Sequence, residues 1–159
     1  MAKRSRAETE RTVNFILDEA LKQLLTIGFE AMSYTTLSNA TGISRTGISH
    51  HFPRKTEFLT KLDMRIGQLF VDELNFSSIA KLEQSWDLAM AKPQHSAVLR
   101  LFFSLCGANQ KSIGFFTAIE HAKELAGIEL GDEGERCINH LIGKSAVVLL
   151  SKNSEAKAA

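Results

Sequence analysis

Apolar residues recur through most of this chain at a helical interval. Between Thr12 and Ile27 they fall at Val13, Ile16, Leu17, Ala20, Leu21 and Leu24, a single stripe with a period near 3.6 residues. The stripe predicts an amphipathic first helix. Gly28 closes it, because glycine accepts the left-handed backbone of a helix end without a Cβ penalty, and Phe29 is placed to fold back onto the stripe. Residues 1–10 read as a loose basic arm, with Ala7, Glu8 and Thr9 able to join the helix by fraying. A short second helix is expected over Tyr34–Ala40, capped by Ser33 and turning Leu37 and Ala40 inward. Thr41-Gly42-Ile43-Ser44 then reads as a tight turn in which Gly42 ends one helix, Ile43 plugs the core and Ser44 caps the next. The third helix runs from Arg45 to His51 with Ile48 and Phe52 inward, and Pro53 stops it. So short a helix is marginal alone and needs the first two as a platform.

A fourth helix is expected from Arg54 or Lys55 to Leu74, with Phe58, Leu62, Ile66, Leu69 and Phe70 on one face. Further periodic segments cover Ser77–Ala91, His95–Gly107, Ser112–Leu125 and Asp132–Leu150, with Gly127, Gly131 and Gly134 preceding or opening the last. No convincing alternating, β-branched run interrupts them. The expected fold class is all-α: a three-helix N-terminal head with a helix-turn-helix, followed by an antiparallel helical body. The expected division is 1–53 for the arm and head, 54–152 for a dimerisation and effector-binding body, and 153–159 for a flexible tail.

Composition narrows this picture only slightly. With 159 residues and 44% apolar content, the chain can bury one sizeable core or join a small head to a larger body. Cys106 and Cys137 are too few for a disulfide framework and read as small buried apolar residues, with a redox role left open. No apolar run is long enough to span a bilayer, and the polar N-terminus has no signal-peptide pattern. The expectation is a cytoplasmic protein with no membrane partner. Paired carboxylates, a nucleophile elbow, a phosphate-cradling loop and metal-ligand spacing are all missing, so neither catalysis, a cofactor nor a metal is expected. Asp132, Glu133 and Glu135 stand where the dipole of the last helix favours negative charge.

The net charge of +1 decides nothing, but its distribution does. Residues 1–65 hold ten Lys or Arg against seven Asp or Glu; residues 66–159 hold nine against eleven. The excess gathers at Lys3, Arg4, Arg6 and Arg11 and again at Arg45, Arg54, Lys55 and Lys61, which fits a polyanionic partner for the head. A helix that reads DNA needs an apolar back and a front of small or polar side chains. Residues 45–51 meet both conditions. Ile48 faces back, Arg45, Thr46, Ser49 and His50 face outward, and Gly47 allows close backbone approach. Arg45 is the candidate for a bidentate guanine contact, and Thr46 and Ser49 for a thymine methyl or a phosphate. Thr35 and Thr36 either meet a phosphate or only cap the second helix. Lys55, with Arg54, would pin the opposite flank, and Arg4 and Arg6 in the arm would follow the backbone or enter the minor groove. His50 and His51 are adjacent, so one is expected exposed and the other packed against Phe52.

Residues 16 to 59 resemble the DNA-binding domain of the tetracycline-repressor (TetR) family. The matching stretches are Ile16-Leu17-Asp18-Glu19-Ala20, Gly28-Phe29, Leu37-Ser38, Ala40-Thr41-Gly42-Ile43-Ser44, His51-Phe52-Pro53-Arg54-Lys55 and Phe58-Leu59. The resemblance implies a homodimer that binds double-stranded DNA at a palindromic operator and usually represses. It implies a phosphate contact for Lys55, and it places Ser49 where a phosphate-touching tyrosine often stands. The family's last two helices commonly form a four-helix dimer interface. Phe115, Phe116, Ile119, Leu141, Ile142 and Leu149 are then its candidates, or else simply intrachain core. Trp86, Met90, Phe102, Phe103 and Cys106 either line a pocket for a small apolar effector or fill an ordinary core, in a body short for the family. The competing reading is a helical protein-interaction module that keeps the fold with weak or lost DNA binding.

Overall fold

The computed structural model describes residues 6–107 and 116–158, with side chains through Ser151. Eight helices and no strand occur among the described residues: α1 (Arg6–Thr26), α2 (Gly28–Ala31), α3 (Tyr34–Thr41), α4 (Arg45–His51), α5 (Thr56–Val71), α6 (Ile79–Met90), α7 (Pro93–Cys106) and α8 (Thr117–Ala158). Packing separates two compact units, Met1–Leu62 and Asp63–Ala159. The boundary falls inside α5, beyond the Pro53 break at which the sequence divides.

In the first unit, the α1 stripe buries Ile16, Leu17, Ala20, Leu21 and Leu24 as its period requires. Among the described residues the helix runs from Arg6, so all of residues 6–10 are helical where the sequence predicts a loose arm with only Ala7, Glu8 and Thr9 able to join. Helix-forming Arg, Ala and Glu fill this stretch, and Arg6 pairs with Glu10 one turn on at 3.1 Å. Gly28 ends α1 at φ +85°, as expected, but the chain then makes one further turn, α2, before Met32 enters the core. Ser33 caps α3 in a reciprocal box with Thr36, and Gly42 closes that helix at φ +72°. Ser44 accepts from the Gly47 N–H at 3.1 Å and so starts α4. Leu37, Ile48, Phe52, Phe58, Leu59 and Leu62 are buried together in this unit's core. Each such aliphatic or aromatic side chain contributes about 1.5–3 kcal/mol when fully buried. Ile43 is only half-buried. The turn leaves it at the rim of the head, so Ile48 and Phe52 plug the core in its place.

In the second unit, α6 and α7 pack against α8. Asp63 accepts from both the backbone N–H and the hydroxyl of Thr117, capping α8. α8 is helical on both sides of Gly131, whose φ of +64° and ψ of −158° break its path. A Cβ on Gly134 would lie 2.3 Å from the Ala126 carbonyl oxygen. A straight helix would separate residues eight positions apart by about 12 Å. The chain therefore turns sharply at Gly131, and residues 117–130 and 132–158 form two arms in close contact. The second arm continues to Ala158, where the sequence predicts a flexible tail after Lys152. Glu155, Ala156, Lys157 and Ala158 are all helix formers, which is the physical reason for that correction.

Candidate nucleic-acid interface

Three contacts hold α4 in place. Its cap is Ser44, its buried back is Ile48, and its C-terminal anchor is Phe52, stacked on Phe58 with ring centroids 4.5 Å apart. The anchor has a second hold that sequence reasoning missed. The Tyr34 hydroxyl donates to the Phe52 carbonyl at 2.6 Å, and the Tyr34 ring tilts against Phe58 at 6.3 Å. Burial, with a smaller contribution from Glu57, raises the Tyr34 pKa, so the phenol keeps the proton it donates. Tyr34 opens α3 and Phe52 follows α4, eighteen residues apart, and no short-range pattern joins them. The usable signal is that this is the chain's only tyrosine, placed directly after the α3 cap.

With its back fixed, α4 turns Arg45, Thr46 and His50 to solvent. The arginine makes no ion pair among the described residues. Ser49 is half-buried, its hydroxyl donating to the Thr46 carbonyl at 3.2 Å. His50 is exposed and His51 half-buried, their rings meeting edge-on at 5.4 Å. Gly47 has a packing role as well: a Cβ there would sit 3.1 Å from Ile43 Cγ2 and 3.3 Å from Ser44 Oγ. The glycine lets the turn and α4 approach each other.

The flanking candidates divide. Thr35 is exposed on the first turn of α3. Thr36 is not available: its hydroxyl accepts from the Ser33 N–H at 2.9 Å and donates to Gln23 Oε1 at 2.6 Å. Gln23 Nε2 returns a bond to the Thr36 carbonyl at 3.2 Å. Thr36 thus joins α3 to α1, a structural duty that replaces the phosphate contact. Lys55 lies in the turn before α5. Its amine donates to the Glu30 carbonyl at 3.2 Å and sits 4.5 Å over the Phe29 ring. Partial burial lowers its pKa against the opposing pull of Glu30. Arg54 is exposed beside it. Arg6 is the first residue of α1, paired with Glu10, not part of an arm. Arg4 lies outside the described residues.

In the second unit, the residues expected to line one pocket are dispersed. Trp86 is fully buried, donates from Nε1 to Ser145 Oγ at 2.9 Å, and meets Phe70 and His95 edge-on at 5.4 and 5.5 Å. Phe102 packs instead with Phe103 and Phe116, and Cys106 is exposed rather than buried. Met90 borders a small cavity of about 190 Å³, beside Asp87, Lys144 and Ser145. Cys137 is buried, and burial, then Glu83, raises its thiol pKa. The expected dimer seam is also corrected. Phe116, Ile119, Leu141 and Leu149 are buried within the single chain, Ile142 is half-buried, and Phe115 lies outside the described residues. The periodicity identified an inward face of α8; the surface it packs against is this chain's own core. Among the described residues, no helix is long and apolar enough to cross a membrane.

Residues 16–62 match the family described as "Bacterial regulatory proteins, tetR family". Residues 63–149, more than half of the chain, match the one described as "Tetracycline repressor LuxT C-terminal domain". The two matches meet where packing divides the molecule, inside α5. No curated protein matches the chain.

Proposed function

The chain belongs to the tetR family of bacterial regulatory proteins, and we propose that it is a dimeric repressor whose α4 reads a palindromic operator. Membership makes it a DNA-binding transcriptional regulator. The observation that carries the finer reading is the grip on α4. Ile48, Phe52 and Tyr34 fix its back, and the side left in solvent bears Arg45, Thr46 and His50.

In this reading Arg45 supplies the guanine contact, and Thr46 and His50 touch base edges or phosphates. Ser49, already bonded to the Thr46 carbonyl, is a lesser contributor. Thr35 and Arg54 meet the sugar-phosphate backbone. Lys55 has first a positioning role, tying the start of α5 to α2, and its ammonium keeps further N–H donors for a phosphate. A protein whose partner is the chromosome works in the cytoplasm.

A palindromic site calls for a two-fold protein, with one α4 for each half-site. The second arm of α8 supports that requirement. Val147 is 67% exposed, Leu150 is 69% exposed, and Gly143 has no neighbour within 4 Å of a would-be Cβ. An apolar face with open space at a glycine suits close approach of a second copy. Selection of bound fragments from the source genome tests the function. Enrichment of a two-fold-symmetric sequence upstream of coding regions is expected; recovery of fragments without a common motif would contradict it.

A further inference from the structure

An exposed phenylalanine on α1 is unexplained by the roles above. Phe15 is 51% exposed although its helix has a clean buried stripe. It lines an open trough of about 560 Å³ together with Arg11 of α1, Ile43 and Ser44 of the turn, and Gly47 of α4. Arg11 is the trough's only charged lining residue, exposed, and engaged in no ion pair among the described residues. Ser44 Oγ accepts from the Gly47 N–H and keeps its own proton to donate. Ser44 and Gly47 also begin the face that presents Arg45 and Thr46, so the trough is continuous with the proposed reading surface.

We propose that this trough seats the sugar-phosphate backbone of the DNA strand flanking the groove read by α4. The lining argues for that occupant. A single unpaired guanidinium calls for an anion and matches a phosphate with two parallel N–H···O bonds. Phe15 and Ile43 offer apolar surface to a deoxyribose edge. The open shape admits a chain passing through. Arg11 then positions the recognition helix along the duplex without reading sequence. This inference rests on the DNA-reading role of α4 and extends it to α1.

The test uses the full-length protein, a duplex it selects from a random-sequence pool, and a scrambled duplex, titrated over a range of salt. Arg11→Ala is expected to weaken binding to both duplexes by the same factor, about 5-fold, and to reduce the salt slope by about 0.9. Phe15→Ala should weaken both without changing the slope. Lys22→Ala removes an equal charge from the same helix, away from the trough, and is expected to change neither quantity. Circular dichroism melting confirms that each variant is folded. If Arg11→Ala binds like wild type, or Lys22→Ala loses as much, the trough is not the seat. Arg45→Ala separates the two levels: its loss of sequence preference, with Arg11→Ala unaffected, overturns the trough alone. A wild-type protein that enriches no duplex overturns both.

Discussion

His95 is 3% exposed, stacked on Phe70 at 4.2 Å, and neither ring nitrogen has a hydrogen-bond partner among the described residues. Burial, opposed by Glu73 and assisted by Lys92, pushes its pKa down to about 4. The unfolded chain binds that proton near the ordinary value of about 6.5. Between these values the unfolded state holds a proton that the folded state refuses, so stability falls as pH drops through the window and levels off below it. The loss amounts to about 3 kcal/mol. His95→Phe keeps the stacked ring without the titrating group. Urea unfolding at pH 7 and pH 4.5 should show the wild type losing most of that stability and the variant losing much less. Equal losses would place the pH dependence elsewhere.

Tyr34 is the second informative side chain. Tyr34→Phe leaves the ring on Phe58 but removes the hydroxyl that holds the Phe52 carbonyl. A cost of about 1 kcal/mol in thermal unfolding is expected, with DNA affinity reduced because the end of α4 is loosened. Residue roles fixed by near neighbours were legible in the sequence: Ser33 and Ser44 as caps, Gly42 as a left-handed stop, Ile48 as the buried back of α4. Thr36, Lys55 and Tyr34 were not, because their partners Gln23, Glu30 and Phe52 come from other segments.

At the scale of elements, glycine decides the geometry of α8. Gly134→Ala would drive a methyl into the Ala126 carbonyl, where rigid backbone cannot yield as a side chain would. Destabilisation of about 1–3 kcal/mol is expected, read as a lowered melting temperature. The sequence located this break by its run of glycines and located the helices of the head closely. It ended α1 correctly but began it late, since helix-forming residues and the Arg6–Glu10 pair extend the helix beyond the apolar stripe. It also separated inward from outward faces on α8, yet periodicity cannot say whether an inward face meets its own chain or another. Phe116, Ile119, Leu141 and Leu149 meet their own.

For the whole molecule, the exposed outer face of the second α8 arm is the candidate seam between two copies. If the outer face of the second α8 arm joins two copies, Val147→Glu puts a charge into that seam. Sedimentation should then show monomer where the wild type is dimeric, and operator affinity should fall because each half-site is bound alone. A wild type that sediments as a monomer when bound to its selected site would contradict the dimer. The proposed role of Arg45 in reading sequence belongs to each copy alone. Its most direct measurement is the affinity of wild type and Arg45→Ala for the selected operator and for a scrambled duplex at one salt concentration. The variant is expected to keep its melting temperature and its scrambled-duplex affinity while losing about 1–3 kcal/mol of discrimination. Undiminished discrimination in Arg45→Ala would contradict it.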